Sequence, residues 1–141
     1  MNAVYLVSMW LHFAALAAAG AASFGIPVVG AAAEAAAAET RPVLVGVIGR
    51  LSMVGRVALG VLIVTGALML WSGAGEGGLS AWFWVKMGLL AVLIVALVIS
   101  VRVVRRLEAG DPAAAAQAAR IGAVNMGLFL LIMLMAVLAF G

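Results

Sequence analysis

Long apolar segments that are almost free of charge restrict what this chain can fold into. Residues 3 to 33 carry no charged side chain, and neither do residues 57 to 75. About 20 consecutive apolar residues are enough for a helix to cross the hydrocarbon layer of a bilayer. The chain is 68% hydrophobic and 9% charged, and its mean hydropathy is +1.33. It is therefore predicted to be an integral membrane protein, and a water-soluble globular domain is excluded.

Charged and turn-forming residues divide the chain into four predicted spans, at about 3–33, 51–72, 80–101 and 121–140. We expect Arg41-Pro42 to end the first helix, residues 72–78 to form a flexible hairpin link, and Gly110-Asp111-Pro112 to separate the last two spans. The chain has too few residues for a further soluble domain. The sequence therefore predicts one all-α transmembrane domain over residues 1–141, an integral membrane four-helix bundle.

The positions of the arginines predict the orientation of the bundle. All basic residues except Lys86 are arginines, and they flank the first and third connections, whereas the middle connection carries only Glu76. By the positive-inside rule, both termini are expected on the outer, periplasmic side. The preference for arginine over lysine and the abundance of Ala, Gly and Val are typical of a GC-rich genome, so we expect a multi-pass protein of a bacterial cytoplasmic (inner) membrane. The lipid bilayer is the expected partner, and no nucleic acid is, because no soluble face gathers the arginines into a stripe.

Two ionisable side chains are predicted to lie inside the spans. His12, the only histidine, falls about 14 Å along the first span and Lys86 about 9 Å along the third, at a rise of 1.5 Å per residue. Both would lie in the outer half of the bundle. Trp82 projects on the same side of its helix as Lys86. An imidazole ligand and a nearby ammonium suit a cofactor with one metal and one anionic edge.

Structural explanations exist for each of these residues. A neutral His12 could form a hydrogen bond to a Ser, a Thr or a carbonyl of another helix. Lys86 could extend its side chain to the interface. Asn125 could supply a helix–helix hydrogen bond, while Arg56 and Arg120 are typical of cytoplasmic ends of spans. The tryptophans are typical of an interfacial belt, and the methionines at 126, 133 and 135 are more typical of packing than of a copper site.

Short pieces spread along the chain carry a resemblance to a known superfamily. They are His12 followed by Pro27, the W-x-x-x-K sequence Trp82-Phe83-Trp84-Val85-Lys86, residues 104–110, and Arg120 with Asn125. In these pieces the chain resembles the small four-span superfamily of HemJ-type protoporphyrinogen IX oxidases and CopD-like copper-resistance domains. The resemblance implies a haem b with His12 as its metal ligand, Lys86 as the essential catalytic partner, and Trp82 beside the cofactor.

The chain also departs from the HemJ pattern. It reads Asn125-Met126-Gly127-Leu128 where those enzymes have Asn-Glu-x-Pro, Val28 where they have an arginine, and Leu97 or a neighbour where they have a histidine in the third span. An oxidase that removes hydrogens needs proton acceptors, and the missing Glu leaves fewer of them. The chain is thus more similar to uncharacterised relatives than to the enzyme, and whether it is an enzyme stays open.

Three functions follow as alternatives. The first is a haem-binding membrane protein that acts as an oxidoreductase on a porphyrin or a quinone. The second is a structural subunit without chemistry, whose small-residue faces bind another membrane protein. The third is a CopD-like copper-handling protein, which would need more ligands than one histidine and these methionines, because the chain has no cysteine. With one histidine per chain, a haem with two histidine ligands would require a homodimer.

Overall fold

The computed structural model describes residues 3–74 and 81–140, which are helical apart from short connections. Helix α1 spans Ala3–Ala35, α2 spans Arg41–Met69, α3 spans Ala81–Glu108 and α4 spans Pro112–Phe140. A short π-helical segment, Leu70–Ala74, extends α2. Each of the four helices is long and apolar enough to cross a membrane. The predicted all-α class with four helices of membrane-spanning length is therefore confirmed.

The connection between α1 and α2 differs from the prediction. Helix α1 ends at Ala35, and Arg41-Pro42 begins α2 instead of ending α1. Proline has no N–H, which the first turn of a helix does not need, so Pro42 favours a helix start. Helix α2 begins well before residue 51 because Arg50 interrupts the hydropathy of a span but is itself a good helix former. The Arg41 side chain donates to the carbonyls of Ala33 and Ala36, at 3.2 and 3.4 Å, at the end of α1.

The predicted break at Gly110-Asp111-Pro112 lies where expected, although α3 continues to Glu108 and α4 begins at Pro112. Gly110 adopts a φ of +85°, its N–H donates to Leu107, and the N–H of Asp111 donates to Arg106. This pair of bonds is the Schellman arrangement that closes a helix C-terminus. Of the predicted link at 72–78, residues 72–74 belong to the π-helical segment and the rest lie outside the described residues.

The helices alternate in direction around the bundle. On α1 and α2, His12 pairs with Thr65 and Gly25 approaches Leu51, so residue numbers rise on one helix as they fall on the other. Helices α1 and α4 are also antiparallel, because Gly20 approaches Phe129 and Pro27 approaches Gly122. Helix α1 packs closely along α2 and α3 along α4, whereas α2 and α3 contact each other little. Two tightly packed helix pairs therefore form the bundle.

Small residues form the centre of the bundle. Ala15, Ala19 and Ala58 are buried together with Phe129. A Cβ placed on Gly55 would lie 3.2 Å from the Cβ of Ala22, which shows how closely α1 approaches α2. Large apolar side chains cover much of the outside, as expected where lipid replaces water as the solvent. All four tryptophans are exposed and lie toward the bundle end that carries the N-terminus, consistent with an interfacial belt.

Candidate functional site

His12 lies on the face of α1 that packs against α2. Ser8 and Ala19, which lie on the same face of α1 as His12, are 3% and 8% exposed, so this face points into the bundle. The imidazole itself is partly buried. Its Nδ1 lies 2.8 Å from Oγ1 of Thr65, which is 3% exposed. The structural expectation of a hydrogen bond from His12 to a neighbouring helix is therefore confirmed, and Thr65 is the partner.

The bonds of Thr65 determine which ring nitrogen of His12 carries the proton. The Thr65 hydroxyl is 2.7 Å from the Val61 carbonyl oxygen, and a hydroxyl has one hydrogen to donate. Because that hydrogen goes to Val61, Oγ1 must accept from His12, so Nδ1 carries the N–H. The Leu62 carbonyl is a second acceptor next to the same ring. In the neutral imidazole Nε2 then keeps its lone pair, which is the form that binds a metal.

Gly66 leaves space beside the imidazole edge. A Cβ placed on Gly66 would lie 3.7 Å from Cε1 of His12, an ordinary van der Waals distance. Any side chain longer than a methyl at this position would therefore meet the ring. The ring is held between α1 and α2 by one hydrogen bond and by a glycine that permits close approach.

Lys86 lies at the same level of the bundle as His12. Gly20 of α1 contacts Phe129 of α4, and Asn125 of α4 contacts Ser100 of α3. Because α1 and α3 are each antiparallel to α4, the first turns of α3 lie at the level of the part of α1 that contains His12. The two groups interact electrostatically, so the structure brings them near each other. Lys86 is partly buried. The sequence prediction that both residues occupy one end of the bundle therefore agrees with the geometry.

Trp82 is less enclosed than its neighbour in the sequence. Its side chain is 48% exposed, whereas Phe83 is 6% exposed and meets the Trp84 ring edge-on, with centroids 5.6 Å apart. Phe83, which the sequence analysis did not single out, is thus the buried aromatic residue near Lys86. Trp82 lies one turn before Lys86 on the outer flank of the site.

A second interhelical bond joins α3 to α4 in the other half of the bundle. Nδ2 of Asn125 donates to Oγ of Ser100 at 2.8 Å, and the Ser100 hydroxyl donates to the Ala96 carbonyl at 2.9 Å. This confirms the helix–helix interpretation of Asn125. Arg56 and Arg120 are exposed, but both lie inside their helices, Arg56 near the middle of α2 and Arg120 two turns into α4.

A cavity of about 570 Å³ lies between all four helices, from the level of Leu16 toward the α1–α2 and α3–α4 connections. Its lining is mostly apolar, and neither His12 nor Lys86 contributes to it. No sequence pattern indicates this cavity, because its walls are small and aliphatic residues that also occur in ordinary packing. Thr65 was also not predicted, although a threonine in an apolar span often bonds back to its own helix.

The donor set allows one histidine ligand. Among the described residues no three His, Cys, Asp or Glu side chains lie close enough together to hold a metal ion. A haem iron differs from such an ion because the porphyrin supplies four nitrogens, and one protein imidazole is enough. His12 is the one residue of the described chain that could supply this imidazole, and Lys86 is close enough to interact with it electrostatically.

The sequence matches no protein-family model, no curated protein and no solved structure.

Proposed function

We propose that this protein is a haem-binding integral membrane protein in which Nε2 of His12 is the axial ligand. The observation that supports it is the bond from Nδ1 to Thr65, with the Thr65 hydroxyl directed to Val61. Histidines that bind metals usually donate their second ring N–H to a protein acceptor, which fixes the tautomer and the ring orientation. The Thr65 hydroxyl, itself bonded to a carbonyl, is such an acceptor.

Lys86 is the proposed partner for an anionic edge of the cofactor. Its ammonium is close enough to interact electrostatically with the His12 ring, and a cation there would stabilise a propionate. Trp82, on the flank, would cover part of the macrocycle. A bound haem would supply one-electron redox chemistry. The resemblance to HemJ-type enzymes extends the proposal to oxidoreductase activity on a porphyrinogen.

The location that we propose is the bacterial inner membrane, with both termini in the periplasm. The supporting observation is that the arginines lie in the half of the bundle that carries the α1–α2 and α3–α4 connections, whereas the tryptophans lie toward the other end. Arg41 begins α2 and Arg106 lies in the last turn of α3, both next to connections at the same end. The positive-inside rule places this end in the cytoplasm.

The test is an absorption spectrum of the detergent-purified protein, expressed with a haem precursor, in oxidised and dithionite-reduced states. The native chain should show a Soret band and reducible α and β bands, and His12→Ala should lose them. Phe13→Ala is the matched control, since Phe13 follows His12 on α1 but is 62% exposed. It should keep the native spectrum. A monomer should show haem with one histidine ligand, because the chain has a single histidine.

A structural subunit without chemistry is the second candidate. The His12–Thr65 hydrogen bond favours this candidate, because a bond between α1 and α2 is a sufficient structural role for the His12 ring without any cofactor. This function predicts a colourless native protein. It also predicts that His12→Ala changes stability but no spectrum. A folded, colourless native chain would therefore reject the haem proposal and retain this one.

A further inference from the structure

The cavity between the four helices has the volume of a small-molecule site. Its volume of about 570 Å³ lies within the range of roughly 300 to 1,000 Å³ that is usual for ligand sites. The charged residues of its lining, Glu34, Arg41 and Asp111, belong to the end where the helices connect. Hydroxyl groups of Ser23, Ser52 and Ser100 are spaced along the otherwise mostly apolar walls. A neutral, mostly apolar molecule fits this lining.

Asn125 lines this cavity and has an unused acceptor. The Ser100 hydroxyl gives its single hydrogen to the Ala96 carbonyl, so its oxygen accepts from the amide nitrogen of Asn125. That fixes which end of the amide faces Ser100. Oδ1 is buried and has no hydrogen-bond partner among the described residues, and the whole side chain is only 9% exposed. A buried acceptor without a partner indicates that a donor is missing from the site.

We propose that the cavity binds a lipophilic hydroxyl compound whose O–H donates to Oδ1 of Asn125. Oδ1 itself has almost no accessible surface, so the amide turns slightly toward the cavity when the ligand binds. The apolar body of the ligand would occupy the space between the helices, reaching toward Gly30 of α1, which also lines the cavity. The ligand must carry a donor because Oδ1 can only accept. This site does not depend on the haem proposal, since neither His12 nor Lys86 lines the cavity.

The experiment compares two probes that differ only at the hydroxyl group, 4-decylphenol and its methyl ether 4-decylanisole. Each is titrated against the native chain in lipid nanodiscs, and the bound fraction is measured by native mass spectrometry. We expect one 4-decylphenol per chain, bound about three- to tenfold more tightly than the ether, which is the usual net value of one hydrogen bond. 1-Tetradecanol is the third probe. Tighter binding of the phenol assigns a phenol or hydroquinone ligand, and tighter binding of the alcohol assigns an aliphatic one.

Two variants assign the binding to this cavity. Asn125→Leu keeps a similar volume and should remove the difference between the phenol and the ether. Gly30→Leu should weaken both probes, because a Cβ on Gly30 meets no atom within 4 Å and the leucine would fill the cavity. Gly127→Leu is the matched control. It also adds a leucine where a Cβ meets nothing, but Gly127 is exposed and does not line the cavity.

Equal affinity of the native chain for 4-decylphenol and 4-decylanisole would overturn the proposal, because Oδ1 would then be satisfied by water alone. Unchanged binding in a folded Gly30→Leu variant would also overturn it, since the probes would then bind the lipid-facing surface. If Asn125→Leu does not fold, the affinities of the two probes for the native chain and for Gly30→Leu still test whether the cavity binds the hydroxyl compound.

Discussion

Nδ1 of His12 donates a hydrogen bond to the Thr65 hydroxyl across the α1–α2 interface at 2.8 Å, and the Thr65 hydroxyl donates to the carbonyl of Val61. The Asn125 amide and Ser100 repeat this arrangement between α3 and α4, with Ala96 as the final acceptor. In each case a hydroxyl that bonds back to its own helix becomes an acceptor for the neighbouring helix. The result is a defined tautomer for His12 and a defined amide orientation for Asn125.

The energy of the His12–Thr65 bond can be measured with a double-mutant cycle. Thr65→Val and His12→Leu each remove one partner, and their combination removes both. We expect a coupling energy of about 0.6 kcal/mol and no more than about 1.7 kcal/mol, the average and the maximum found for hydrogen bonds between membrane helices. Unfolding of the four proteins by SDS titration gives the four free energies. A coupling energy near zero would mean that the bond does not hold α1 to α2.

Gly110 should tolerate no side chain without a loss of stability. Its φ of +85° lies in the left-handed region, which costs roughly 1 to 2 kcal/mol for a residue with a Cβ. Gly110→Ala should therefore lower the free energy of unfolding by about that amount. Gly88→Ala is the control, because Gly88 lies inside α3, where a Cβ meets nothing and alanine is the better helix former. It should be neutral or stabilising in the same thermal unfolding assay.

Asp111 should make the stability of the protein depend on pH. Its carboxylate accepts from Arg106 and from the N–H of Ala113 at the start of α4, and these bonds lower the pKa of Asp111 below its ordinary value. A lowered folded-state pKa means that the stabilisation is present at neutral pH and is lost as the pH falls below about 4 through the folded pKa.

The melting temperatures of the native chain and of Asp111→Asn should therefore differ at pH 7, and the difference should shrink as the pH falls below about 4. Salt should also reduce the difference, because the ion pair with Arg106 is solvent-exposed. Glu39→Gln, which changes an exposed carboxylate of the α1–α2 connection, is the control and should follow the native curve. A gap between the native chain and Asp111→Asn that stays constant down to pH 3 would contradict this interpretation.

The sequence predicts the four helices and the level of His12 and Lys86, because both follow from hydropathy and a fixed rise per residue. It does not predict where α2 begins. Arg50 marks the end of the apolar segment, but an arginine is compatible with a helix, so α2 extends beyond it to Arg41. It also does not predict Thr65 as the partner of His12, because that depends on the register between α1 and α2. The cavity depends on the distance between the α1–α2 pair and the α3–α4 pair. No local sequence pattern predicts this distance.

The orientation can be tested with single cysteines, because the natural chain has none. Glu39→Cys places a thiol in the exposed α1–α2 connection, which we expect in the cytoplasm. In intact cells it should resist a membrane-impermeant maleimide and react only after the cells are opened. A cysteine added after Gly141 should react in intact cells. The reverse pattern would show that the arginine-rich end faces outward.

Lys86 should affect the redox properties of a haem bound at His12. A nearby positive charge favours the reduced form of the iron, so Lys86→Met should lower the midpoint potential, on the order of tens of millivolts at an effective dielectric constant of about 20. Lys86→Arg keeps the charge and should stay close to the native potential. Spectroelectrochemical titration of the three proteins measures this. If Lys86→Met keeps the native potential while binding haem equally well, the ammonium extends to the membrane interface and has no part in the site.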